Sequence, residues 1–92
     1  MDSYERQIYR ERYLLTLDQL AEGTTRPVGT EDVESYMGME PTELEKVASY
    51  LLGERFINQP TFTTVALTHE GRKEVERLLS LPYEEIEGLV GN

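Results

Sequence analysis

The side chains that most often perform catalysis are scarce in this chain. His69 is the one histidine, and there is no cysteine or tryptophan. A single histidine without cysteine or a second histidine does not complete a usual zinc site, and the sequence offers it no evident catalytic partner. The lack of cysteine also excludes disulfides and thiolate chemistry. We therefore expect an exposed His69 at a helix start, no catalytic residue, no metal and no cofactor.

An acidic cluster near the end of the chain is the other candidate for ion binding. Glu84, Glu85 and Glu87 follow Pro82. Carboxylate oxygens suit divalent cations, but the patterned acidic spacing of a calcium loop is absent. Acidic residues are also favoured at the start of a helix by the helix dipole. We therefore expect a solvated helix start here.

The charge balance bears on which macromolecules the chain can bind. Nine Lys and Arg oppose eighteen Asp and Glu, which gives a formal net charge of −9. The segment 23–57 carries three basic and seven acidic residues, and the segment 56–68 carries no charge. Affinity for DNA depends largely on cationic contacts to phosphate. The charge therefore works against DNA binding, although a local basic patch would still permit it.

Four helical segments must position these side chains. The spacing of apolar residues, together with Gly and Pro, predicts helices at about 3–22, 30–37, 41–54 and 70–80. The third has the strongest pattern, with apolar residues at three- and four-residue steps: Leu44, Val47, Ala48, Leu51 and Leu52. Thr30 and Thr68 are predicted N-caps. Tyr36 is expected on the apolar face of the second helix, and Leu79 is expected to be buried.

Between the third and fourth helices, β-branched and aromatic residues predominate. They predict two short strands at about 55–58 and 63–67, with a turn marked by Asn58-Gln59-Pro60. Val28 is a candidate for a further short edge strand. After Leu81-Pro82, the segment 83–90 is predicted to form one more short helix.

The length of 92 residues corresponds to a single domain with one apolar core. No apolar run approaches the roughly 20 residues that a membrane span needs. The start of the chain lacks the basic and then apolar pattern of a secretory signal. We therefore expect no membrane association and a cytoplasmic location.

The predicted order is helix, helix, tight turn, helix, hairpin, helix, and the segment 32–57 forms a helix-turn-helix arrangement. Its turn is Gly38-Met39-Glu40; Met39 is followed by Leu44, Ala48 and Leu51, and then by the apolar pair Phe56-Ile57. A second motif is Ala66-Leu67-Thr68-His69-Glu70-Gly71-Arg72. From about Tyr13 to Leu79 the chain resembles winged helix-turn-helix domains of MarR- and PadR-type transcriptional regulators. The resemblance implies one α+β domain over residues 1–92, mainly helical with a small β-hairpin, the wing.

The resemblance also implies a place for DNA, because in DNA-binding members the third helix enters the major groove. The residues implied to contact DNA are Thr42, Lys46, Ser49 and Tyr50 on the third helix and Arg72 and Lys73 on the fourth. Winged helices that bind DNA usually carry Arg or Lys on the wing, and this chain departs from that pattern. The alternative is a protein-interaction domain whose acidic residues, Glu40, Glu43 and Glu45, meet a basic partner. Both functions are left open.

Two further features each allow two interpretations. The fourth helix contains oppositely charged pairs at i,i+3 and i,i+4, which are typical of a solvated face but leave open a phosphate-binding patch: Glu70–Lys73, Arg72–Glu76 and Glu74–Arg77. The tyrosines at 9, 13, 36 and 50 suit either the core of a monomer or an interface. In the second case the first helix and the segment 83–90 would form a homodimer.

Overall fold

The computed structural model describes residues 3–81. Over this range the chain has an α+β fold with four helices and a small three-stranded antiparallel sheet. In chain order the elements are α1 (Ser3–Leu20), β1 (Val28–Gly29), α2 (Thr30–Met37), α3 (Pro41–Gly53), β2 (Ile57–Thr61), β3 (Thr64–Leu67) and α4 (His69–Leu79). The predicted segment 83–90 lies outside the described residues.

One apolar core joins the helices to the sheet. Leu14 and Leu17 on α1 pack with Leu51 on α3, Leu67 on β3 and Leu78 on α4, and all five are almost completely buried. The periodic apolar residues of α1, α3 and α4 therefore face inward, as their spacing predicts. Two residues expected on the apolar side are instead exposed, Tyr36 on α2 and Leu79 on α4, because each lies at the margin of its helix's apolar stripe.

The sheet has the strand order β1-β3-β2, so β3 is central and β2 is an edge strand. Val28 pairs with Val65, and Ile57 pairs with Leu67. The prediction of a turn at residues 58–60 is wrong, because β2 continues to Thr61 and the chain reverses over residues 62–63. Pro60 is tolerated within β2 because an edge strand does not need every N–H for pairing.

The junctions between elements show how the helices begin and end. Gly38 ends α2 with a φ of 64°, a left-handed conformation that favours glycine, and its N–H donates to the Glu34 carbonyl. Thr68 caps α4 as predicted, accepting a 3.0 Å hydrogen bond from the Gly71 N–H. Thr30, in contrast, is the first residue of α2 and not its cap; Gly29 takes that position without a side-chain bond.

The predicted helix bounds need only small changes, whereas the strand predicted at 55–58 lies at Ile57–Thr61, and the strand predicted at 63–67 begins at Thr64. α1 ends at Leu20, two residues earlier than predicted, and α3 ends at Gly53. α4 begins at His69, and Val28 lies in a strand as the sequence suggested. Within residues 3–81, no helix is both long enough and apolar enough to cross a bilayer.

Candidate interaction surface

The outward side of α3 carries most of the residues implied by the sequence to bind a partner. Because Leu44, Val47 and Leu51 are buried, the opposite side of the helix faces solvent. Three acidic residues at and near its N-terminus form what we call the acidic face: Glu40, Glu43 and Glu45. Glu40 and Glu45 are exposed and Glu43 is half-buried. The exposed polar residues Thr42, Lys46 and Ser49 lie on the same helix.

Lys46 and Tyr50, implied to contact DNA, are both engaged within the chain. The Lys46 ammonium lies 3.5 Å from a Glu43 carboxylate oxygen. The Arg6 guanidinium of α1 lies over the Tyr50 ring, 4.7 Å from its centroid, and donates a 3.2 Å hydrogen bond to its hydroxyl. Tyr50 therefore links α3 to α1 through a cation–π interaction and a hydrogen bond, both with Arg6.

The basic residues of α4 are paired as the sequence predicted. Lys73 lies 3.5 Å from Glu70, and Arg72 lies 3.6 Å from Glu76. Arg77 donates two hydrogen bonds of 2.8 and 2.9 Å to Glu74, and this interaction holds the pKa of the Glu74 carboxyl below its ordinary value. The three predicted pairs of α4 are therefore confirmed, whereas the choice between a solvated face and a phosphate-binding patch stays a prediction.

Arg72 has a second partner that the sequence did not reveal. Its guanidinium donates to the carboxylate of Asp18 on α1, and both side chains are largely shielded from solvent. Arg72 therefore fastens α4 to α1. Within residues 3–81, no hydrogen bond or ion pair joins the implied DNA contacts on α3 to Arg72 or Lys73.

Carboxylates without an ion-pair partner are concentrated around α2 and α3. Among the described residues, five of the six acidic positions between 31 and 45 lie in no ion pair: Glu31, Asp32, Glu34, Glu40 and Glu45. The helix dipole favours the first two, which lie in the first turn of α2. The remaining three leave this side of the molecule with uncompensated negative charge.

A groove runs beside these carboxylates, between α2, α3 and the hairpin formed by β2 and β3. It has a volume of about 210 Å³, and Leu44, Ala48, Leu52 and Val65 contribute to its apolar lining. Phe62 at the hairpin tip also lines it and is 97% exposed. The groove is smaller than the roughly 300 Å³ lower bound typical of small-molecule pockets, so its size suits a single side chain of a partner.

Tyr13 of α1 lines the groove from the core side and is only 3% exposed. Burial, together with the negative charge of Glu34, raises the pKa of Tyr13 to about 12. Its hydroxyl makes no hydrogen bond among residues 3–81, yet no fully enclosed side-chain oxygen there lacks a partner. The hydroxyl is therefore accessible, and it stays protonated at neutral pH.

The groove was missed in the sequence because it is formed by three elements distant along the chain. Phe62, between two threonines in the predicted connection, was the available signal, since a large apolar residue at a hairpin tip has no core to fill. His69 is exposed at the start of α4 as expected. In the described part of the chain, no group of three or more potential ligands is arranged to hold a metal; Glu84, Glu85 and Glu87 lie outside it.

The predicted homodimer remains a prediction, because one of its two surfaces, the segment 83–90, lies outside the described residues. On α1, Tyr4 is exposed, whereas Tyr13 belongs to the core. Tyr36 and Tyr50 are also exposed, so the tyrosines divide between core and surface.

Comparison with known proteins adds no relative from which a function could be transferred. No known protein family matches the chain, and no match was found among curated proteins or solved structures.

Proposed function

We propose that this chain is a non-catalytic winged helix-turn-helix module that binds a basic protein partner through the acidic face of α3. The succession of elements supports the winged-helix assignment: α2 and α3 meet at the left-handed Gly38, and the β2–β3 hairpin then leads into α4. In this assignment α3 is the recognition helix and the hairpin is the wing.

A basic protein is favoured over DNA because the cations of this surface are ion-paired within the chain, whereas several of its carboxylates are not. Lys46, Arg72 and Lys73, the three cations implied to meet phosphate, each lie in an ion pair. The wing has no charge to add. A DNA phosphate approaching α3 would meet Glu40 and Glu45, which have no ion-pair partner among the described residues. A basic protein surface would instead be attracted to them and correctly oriented by them.

A first experiment tests this choice by fluorescence anisotropy with a labelled random-sequence DNA duplex at low salt. Non-specific DNA binding at physiological salt has a Kd of about 1 to 100 μM and tightens as salt falls, so we expect a Kd weaker than about 100 μM even at low salt. DNA binding is the second candidate, since Thr42 and Ser49 are exposed on α3 without intramolecular partners among the described residues. Tight binding that weakens steeply as salt rises would favour it and overturn the proposal.

A second experiment tests the surface by affinity capture from the source cells. A variant with Glu40, Glu43 and Glu45 each changed to Lys should lose the protein that the wild type retains. The matched control changes three exposed carboxylates elsewhere, Glu22, Glu70 and Glu76, to Lys. Circular dichroism verifies that both variants fold. Equal capture by both variants would show that the acidic face is not the binding surface.

A further inference from the structure

We propose that the groove between α2, α3 and the hairpin binds an arginine side chain presented by the partner protein. This inference rests on the proposed function and assigns the chemistry that the partner must supply. It combines three properties of the groove: an apolar wall, unpaired carboxylates and an accessible hydroxyl on an otherwise buried tyrosine.

The apolar wall suits the long hydrocarbon stem of a basic side chain. Ala48 and Leu52 of α3 line one side of the groove, and Phe62 of the hairpin also lines it. Arginine characteristically packs its methylene groups along such surface while its charged end remains at polar groups. An exposed aromatic ring adds a cation–π site, which guanidinium uses more often than ammonium.

The polar lining supplies partners for the charged end. Glu34 and Glu45 line the groove, and neither takes part in an ion pair or side-chain hydrogen bond among residues 3–81. Carboxylates accept hydrogen bonds from the planar guanidinium in a two-pronged geometry that lysine cannot reproduce. Basic side chains are absent from the lining, so an incoming cation meets no like charge there.

Tyr13 is an independent observation that favours a polar ligand in the groove. Its hydroxyl is a polar group on a side chain that is more than nine-tenths buried, the residue borders the groove, and the hydroxyl has no hydrogen-bond partner among the described residues. Since no fully enclosed side-chain oxygen among the described residues lacks a partner, this hydroxyl is accessible and free to bond a ligand. A guanidinium N–H in the groove would donate to this oxygen and satisfy it.

The test is a ¹H–¹⁵N NMR titration of the full chain with a short glycine–serine peptide that carries a central arginine. We expect the amide signals of Ala48, Ser49, Leu52 and Phe62 to shift along saturable curves. Two further peptides replace the arginine by citrulline, which keeps its shape without the charge, and by leucine, which keeps only apolar bulk. Shifts of equal size with either control peptide would overturn the inference, as would shifts spread evenly over acidic residues outside the groove.

Variants separate the three contributions to binding. Phe62→Ala, Glu45→Gln and Tyr13→Phe should each raise the Kd for the arginine peptide by roughly threefold or more, the range of one exposed cation–π contact or charged hydrogen bond. The matched controls Tyr4→Ala, an exposed aromatic on α1, and Glu70→Gln on α4 should leave it unchanged. An unchanged Kd in all three groove variants would contradict the assignment.

The outcomes for the groove and for the proposed function are distinguishable. If the Lys variants of the acidic face lose the captured protein while the arginine peptide leaves the groove signals unmoved, only the groove assignment fails. If the chain binds duplex DNA with steep salt dependence, the proposed function fails whatever the peptide does.

Discussion

At the residue scale, Tyr13 joins the stability of the core to the surface of the groove. Its hydroxyl borders the groove without a hydrogen-bond partner among residues 3–81, while its ring is buried. Such a phenol is held neutral because ionisation would place a negative charge in an apolar site close to Glu34. Because burial raises the pKa of this phenol, the stability of the fold should be sensitive to alkaline pH.

The expected pH dependence follows from the pKa of Tyr13, which rises from 10.0 to about 12 on folding. Below pH 10 the phenol is protonated in both states. Between pH 10 and 12 only the unfolded chain loses the proton, so the free energy of unfolding should fall by about 2 to 3 kcal/mol. Urea denaturation across this range measures the fall, and Tyr13→Phe should abolish that share of it. If the free energy of unfolding fell equally steeply with pH in wild type and variant, the raised pKa would not belong to Tyr13.

The contact between Arg72 and Asp18 shows why a basic residue on a solvated helix need not be a ligand contact. Both side chains are largely shielded from solvent, whereas Lys73, one residue further on, is mostly exposed beside Glu70. Removing one member of an ion pair that is shielded from water leaves the other charge shielded and unpaired, which costs more than breaking an exposed pair. The two neighbouring cations should therefore differ in their effect on stability.

Arg72→Ala is expected to lower the free energy of unfolding by about 1 to 2 kcal/mol, and Asp18→Ala by a similar amount. The double variant should cost less than the two together, because the pair is lost only once. Lys73→Ala serves as the exposed control and should stay within about 0.5 kcal/mol of wild type. Chemical denaturation of the wild type and the four variants measures these free energies of unfolding. Strictly additive losses would show that the two side chains are not coupled.

At the scale of elements, the sequence predicted the helices better than the hairpin. The helices follow from apolar residues at three- and four-residue steps, a pattern that local geometry imposes. The extent of β2 was missed because Pro60 is a turn signal in isolation, and only the strand order shows that it lies on an edge. The exposed residues of α3 could be predicted, because the spacing of its apolar residues shows which side of the helix is buried. The groove could not, since Phe62, Leu52 and Tyr13 are brought together only by tertiary packing.

The junction of the hairpin with α4 depends on close approach of backbone to helix. A methyl group on Gly71 would overlap the carbonyl oxygen of Phe56, and that oxygen already accepts a hydrogen bond from the Thr68 N–H. Thr68 itself donates a 2.6 Å hydrogen bond to the Arg55 carbonyl. The β2–β3 hairpin is therefore attached to α4 at a position where only glycine fits.

Gly71→Ala is accordingly expected to destabilise the fold by about 2 kcal/mol or more, since backbone cannot yield as a flexible side chain can. Gly53→Ala is the matched control, because a methyl group there meets no neighbouring atom. Alanine at that helical position should instead stabilise by about 0.5 kcal/mol. Thermal and urea unfolding measure both effects. Equal effects of the two substitutions would show that α4 does not approach Phe56 as closely as described.

At the scale of the whole molecule, the excess of negative charge lowers the stability of the folded state. The formal net charge is −9 for the whole chain, and residues 3–81 carry fourteen acidic and nine basic residues, a net charge of −5, within extents of 35 × 26 × 23 Å. At about 10 mM salt the screening length is about 30 Å, so charges across the whole molecule interact, and the excess of carboxylates makes the net interaction repulsive. At about 150 mM it falls to about 8 Å. The repulsion between distant carboxylates is then screened, whereas ion pairs within 4 Å are weakened much less.

Added salt should therefore stabilise this protein, although it weakens individual salt bridges. We expect the urea midpoint of unfolding at neutral pH to rise between about 10 and 150 mM NaCl. Near the sequence isoelectric point of about 4.5 the net repulsion vanishes, and the rise should disappear with it. A midpoint that falls with salt at neutral pH would mean that pairs such as Arg72–Asp18 outweigh the repulsion. The carboxylates of the acidic face would then destabilise the free chain less. Their neutralisation by the proposed basic partner would contribute correspondingly less to its affinity.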